Sequence, residues 1–179
     1  MVDQITIQTL GILLTGISLT IAATYYTLTI RNSNKTRKTQ LFMQLYNHVT
    51  SKEFVQNFGD TLNMEWDDYE DFERKWGSGN NTEAYAKRYT VWYAYEGIGY
   101  LLSQKLIDID IAYHLNGTAA LYQWGKYESI IRYQREAFNI PELGLWFEYL
   151  VGEIRKKRKQ LGHSDRVPED YGRLFVNNN

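Results

Sequence analysis

The chain has 179 residues, with 20 Lys and Arg against 21 Asp and Glu, a formal net charge of −1 and no cysteine. Near-neutral charge argues against a nucleic-acid-binding role, and the missing cysteine removes disulfides, thiolate chemistry and Cys-based zinc or iron–sulfur sites. The 15 Tyr, 5 Trp and 7 Phe are the conspicuous excess.

An apolar run comes first. Residues Ile5 to Ile30 carry no charge, and Arg31, Lys35, Arg37 and Lys38 follow directly. A helix rises about 1.5 Å per residue and a bilayer core is about 30 Å thick, so the run is long enough to span. Thr9, Thr15, Thr20, Thr24 and Thr27 interrupt the Leu and Ile residues, but a helical hydroxyl can bond back to the backbone. Gly11 and Gly16 offer small residues to another helix without forming a GxxxG pair, and Tyr25 and Tyr26 suit an interface. The start, Met-Val-Asp-Gln, lacks the positive n-region of a cleaved signal peptide, which predicts a retained anchor. Positive charge on the carboxyl side alone predicts an outside amino terminus and a cytoplasmic remainder. A helix buried in a soluble core is the competing reading of the same run.

Leu41, Phe42, Leu45, Tyr46 and Val49 recur at three- and four-residue spacing, which marks one helical face. Thr50-Ser51-Lys52-Glu53 predicts a break with a fresh cap, and Phe54, Val55 and Phe58 a short helix ended by Gly59. An acidic stretch from Asp60 to Glu73 follows, with Trp66, Tyr69, Phe72 and Trp76 at helical spacing. Gly77 to Asn81 reads as a loop, with Asn81 or Thr82 capping the next helix.

Glu83 to Lys105 is the most apolar part of the remainder, with Tyr, Trp, Ile and Leu on every side, and predicts a central helix buried on most sides. Asp108 is expected to cap a short helix that Asn116-Gly117 ends, and Thr118 to Phe138 forms the next. Pro141 suits a first helical position, and Leu143, Phe147, Leu150 and Ile154 make a stripe on a last helix ending near Gly162. The expected chain is all-α: a transmembrane anchor over 1–30, a basic juxtamembrane linker over 31–40, a cytoplasmic helical domain over 41–162 and a polar tail over 163–179.

Chemical signatures are sparse. His48, His114 and His163 form no HExxH or ExxH element, and Asp110 with His114 is a pair that arises easily by chance. Glu96 lies inside the apolar central helix, where a carboxylate must be paired or shifted in pKa. Arg132 and Arg135 are its natural partners, which predicts a buried ion pair, preferred over a catalytic acid. Glu96, His114 and Glu148 are the residues left to carry catalysis if there is any. Diiron carboxylate elements are missing, Gly97-Ile98-Gly99 lacks a nucleotide-loop context, and neither a P-loop nor a nucleophile elbow occurs. No cofactor and no metal is expected.

Arg155, Lys156, Lys157, Arg158 and Lys159 form a basic block. Like Arg31, Lys35, Arg37 and Lys38, it is able to meet anionic lipid head groups; the alternative is a solvated helix end whose cations complement the dipole. The aromatic residues sit at core spacing rather than among Lys and Arg, which favours packing and interface use over nucleic-acid stacking.

The order of anchor, Asn-Lys-Thr-Arg linker, Gln-Leu-Phe-Met-Gln-Leu-Tyr, Ser-Lys-Glu-Phe, Tyr-Glu-Gly-Ile-Gly-Tyr-Leu and Leu-Ile-Asp-Ile resembles the prokaryotic family DUF4760. Trp124 to Ile131 and Trp146-Phe147-Glu148-Tyr149-Leu150 resemble it too. The likeness covers most of the chain in patterned helices rather than a chemical signature. It implies a small membrane-anchored helical protein and transfers no catalytic residue. The expected function is an accessory or interaction protein of a membrane complex, more a binder than an enzyme, with lipid and a protein as partners and a second copy as a further option. A membrane-tethered enzyme and an anionic-lipid sensor are the alternatives.

Overall fold

The computed structural model describes residues 4–164, with side chains from Ile7 onward, and divides the chain into two units, Met1–Gln40 and Leu41–Asn179. Helix α1 spans Gln4–Val49. Thr15, Thr20, Thr24 and Thr27 each donate their hydroxyl to the carbonyl four residues earlier, at 2.8–2.9 Å, so these polar groups are satisfied within the helix. Nothing lies within 4 Å of where a Cβ on Gly11 or Gly16 would point.

The second unit is all-helical among the described residues, and its local signals explain where the helices begin. Ser51, Asp68, Asn81 and Asp108 cap α2 (Lys52–Leu62), α3 (Tyr69–Trp76), α4 (Thr82–Ser103) and α5 (Ile109–His114), each accepting the backbone N–H three residues on at 2.8–3.1 Å. Helix α6 runs Gly117–Ala137 and α7 Leu145–Gln160, and α4 packs most extensively on α7. The core draws Phe54, Phe72, Tyr95, Trp124, Tyr127 and Phe147 from α2, α3, α4, α6 and α7. Tyr95 stacks on Phe147 at 5.1 Å, and Trp124 meets the same ring edge-on at 5.2 Å. Pairs of this kind are worth about 0.5–1.5 kcal/mol beyond burial.

Three expectations need correction. Gly59 does not end α2: the helix continues to Leu62, because Thr61 and Leu62 are buried and Gln123 of α6 donates to the Thr61 hydroxyl at 2.8 Å. That tertiary gain outweighs the roughly 1 kcal/mol that a helical glycine costs. Helix α4 is not buried all round: Ala84, Arg88, Val91, Tyr95, Ile98 and Leu102 form one buried stripe, whereas Tyr85, Tyr89, Tyr93 and Tyr100 are 36–50% exposed. Tyrosine tolerates this because its ring packs sideways while the hydroxyl meets water. Pro141 does not open α7, which starts four residues later, after Gly144 in a left-handed conformation at φ 66°. Of the expected tail, 165–179 lie outside the described residues.

Candidate functional site

Helix α7 begins without a cap of its own. Its first turn has orphan N–H groups, and Gly144 before it has no side chain to accept them. Glu96 of α4 supplies the acceptor: Oε2 accepts from the Phe147 N–H at 2.7 Å and Oε1 from the Trp146 N–H at 3.2 Å. A carboxylate at a helix N-terminus also meets the positive end of the dipole. Gly99, one turn further along α4, makes the approach feasible, since a Cβ there would run into the Trp146 carbonyl oxygen. The expected buried ion pair of Glu96 with Arg132 and Arg135 does not form, because both carboxylate oxygens are taken by backbone.

Those arginines serve Glu148 instead. Arg135 Nη1 reaches Glu148 Oε2 at 2.6 Å, and Arg132 Nη2 reaches Glu148 Oε1 at 2.8 Å and Glu128 Oε1 at 2.7 Å. Arg135 Nε also donates to the Leu143 carbonyl at 2.7 Å, which holds the turn before α7 against α6. Burial pushes the Glu148 pKa up, but the two guanidinia overcome it and leave the group below its ordinary value. Glu96 is thus bound to N–H groups and Glu148 to guanidinia. His114 is exposed at the end of α5, and Asp110 is bound to Lys157 at 2.6 Å, which holds its pKa below the usual carboxylate range. No group of three or more metal-binding side chains occurs among the described residues.

The basic block is partly used within the domain. Lys156 pairs with Glu153 at 2.7 Å, Lys157 with Asp110, and Arg158 donates to the Ser164 carbonyl at 2.7 Å. Arg155 and Lys159 are exposed and make no such contact among the described residues. Arg31, Lys35, Arg37 and Lys38 are all exposed on α1.

Two clefts lie beside α4, and one of them is bordered by Glu96, the carboxylate that the sequence singled out. A cleft of about 330 Å³ is bordered by Glu96, Ile131, Gly144 and Trp146, and one of about 240 Å³ by Glu73, Arg88, Tyr89 and Phe138. They adjoin, sharing Trp92, Tyr93, Ile140 and Leu143 as walls. Arg88 is only 3% exposed. Its guanidinium donates to the Trp76 carbonyl at the end of α3 at 2.9 Å and lies over the rings of Phe72, Trp92 and Tyr85 at 4.6, 5.3 and 5.5 Å. Burial lowers its pKa, with the Tyr127, Glu73 and tyrosine fields opposing; an arginine still stays protonated. The buried Trp92 indole N–H has no acceptor among the described residues. Beside it Tyr89 and Tyr93 stack at 4.0 Å, and the Tyr89 hydroxyl together with burial pushes the Tyr93 phenol up to about 12. For Arg88 the sequence signal is a charged Lys87-Arg88 pair inside an aromatic helix.

The model of the family described as Domain of unknown function (DUF4760) matches residues 10–154. The chain belongs to that family. The DUF4760 match takes in the whole Glu96–α7 junction and every residue lining the two clefts. No curated protein and no solved structure matches the chain.

Proposed function

We propose that this DUF4760 chain is a single-pass membrane protein whose helical domain is held on the cytoplasmic face and docks a partner protein within a membrane complex. The observation that carries the reading is the exposure of α1. Ile12 is 73% exposed, Leu19 66% and Ile21 64%, and none of the apolar window is buried in the protein. Each such side chain gains about 1.5–3 kcal/mol by leaving water, and a bilayer is the solvent that supplies the gain along a whole helix. The internally bonded threonines support it, because lipid offers no partner to a polar group. The exposed Arg31, Lys35, Arg37 and Lys38 favour the cytoplasmic side and contact with anionic head groups. The exposed tyrosine face of α4 supports a docking role, since tyrosine is enriched in protein interfaces.

A cysteine-free chain makes the topology test clean. Single cysteines at Gln4 and Ser164 are labelled with a membrane-impermeant maleimide in intact and permeabilised cells; Gln4→Cys is expected to react in both, and Ser164→Cys only after permeabilisation. The reverse pattern overturns the orientation, and recovery of the protein in the soluble fraction overturns the anchor. The docking role is tested by purification in a mild detergent. A companion in fixed ratio that is lost when Tyr89 and Tyr93 become alanine supports it, and a lone protein sinks it.

A further inference from the structure

The two clefts beside α4 have a chemistry that neither the anchor nor a docking face explains. Arg88 is 3% exposed, yet no carboxylate of the described residues pairs with it; the Trp76 carbonyl takes one of its N–H groups and aromatic faces surround the rest. Glu73 lines the same cleft and its charge favours the guanidinium, but it makes no ion pair with Arg88 among the described residues, so the remaining N–H groups of that cation have no carboxylate partner. Trp92 lines both clefts, and its buried indole N–H is a second donor without an acceptor among the described residues. The walls shared by the clefts, Trp92, Tyr93, Ile140 and Leu143, are flat or aliphatic.

We infer that the adjoining clefts bind a planar aromatic carboxylate, its carboxylate at Arg88 and its ring against the shared walls. The donors match a small acceptor: a carboxylate takes guanidinium N–H groups in a charge-assisted bond and has lone pairs left for an indole N–H. A phosphate fits less well, because one guanidinium does not balance a dianion beside Glu73, which lines the same cleft. An aliphatic acid would leave the aromatic walls without a stacking partner. Glu73 sets the sign of the test: its charge opposes the bound anion, so removing that charge tightens binding.

The full-length protein in a mild detergent is titrated with 2-naphthoate and its neutral isostere 2-naphthamide, by calorimetry and by NMR of the tryptophan indole N–H signals, that of Trp92 being assigned from Trp92→Phe. The carboxylate is expected to bind about tenfold tighter than the amide, as one charge-assisted hydrogen bond allows, and to move the Trp92 signal most. Arg88→Gln removes the preference, and Glu73→Gln tightens naphthoate severalfold while leaving naphthamide unchanged. Equal affinity for the two probes, a Trp92 signal that does not move, or naphthoate binding indifferent to Glu73→Gln each overturns the assignment. The Glu73 variant and the probe pair decide the matter even if Arg88→Gln fails to fold.

Discussion

Glu96 does for α7 what no residue preceding that helix can do. Both its oxygens accept N–H groups of the first turn, and Gly99 lets the two backbones come close enough for it. Glu96→Ala is expected to lower stability by about 1–2 kcal/mol, the range of a lost N-cap, and Glu96→Gln by less because one acceptor remains. Urea denaturation followed by circular dichroism measures both, and an alanine variant as stable as the parent removes the capping role. Gly99→Ala is expected to cost about 1–3 kcal/mol, since the added methyl meets a carbonyl that cannot rotate away. A third residue of this kind is Tyr127, fully buried, whose hydroxyl donates to the Thr61 carbonyl at 2.5 Å. Tyr127→Phe leaves that carbonyl unpaired and should cost about 1–3 kcal/mol in the same measurement.

Between elements, α6 and the start of α7 are tied by charge. Glu148 bridges Arg132 and Arg135, and Arg135 also holds the Leu143 carbonyl. The folded-state pKa of Glu148 lies below its ordinary value, so its contribution is complete above the unfolded value and is lost as pH falls through the folded one. The melting temperature is therefore expected to fall below about pH 4, and the fall should be shallower in Glu148→Gln. Identical pH profiles for the two proteins would place the acid sensitivity elsewhere. The tie also fixes the turn that walls the larger cleft, so the same substitution should loosen Leu143 and Gly144.

For the whole molecule, the contrast is between a unit that buries its apolar residues and one that exposes them. The helical domain hides Trp124, Tyr127, Phe72 and Phe147 almost completely, whereas α1 exposes Ile, Leu and Tyr from Ile7 to Ile30. Leu14 lies near the middle of that run. Leu14→Arg adds about 2.5–3.5 kcal/mol to insertion, so it should move the protein out of the carbonate-resistant membrane fraction. An unchanged distribution would mean that the run does not span lipid.

What the chain alone determined is what depends on neighbours in sequence. The Ser51, Asn81 and Asp108 caps follow from a side chain reaching the backbone three residues on, and the all-helical class and the charge-free first segment follow from spacing and composition. The tertiary structure decided whatever depends on which helices meet. Tyr, Trp, Ile and Leu on every side of α4 read as buried until one face is left to solvent, and Glu96 among apolar residues reads as half of an ion pair until α7 arrives with unmet N–H groups. Arg88 and Trp92 became walls of one cleft only when α3, α4, α6 and the turn before α7 closed around them. Hydrogen-bond demand at a helix end and the burial of a charge are properties of a junction, and a junction has no signature in either strand of sequence that forms it.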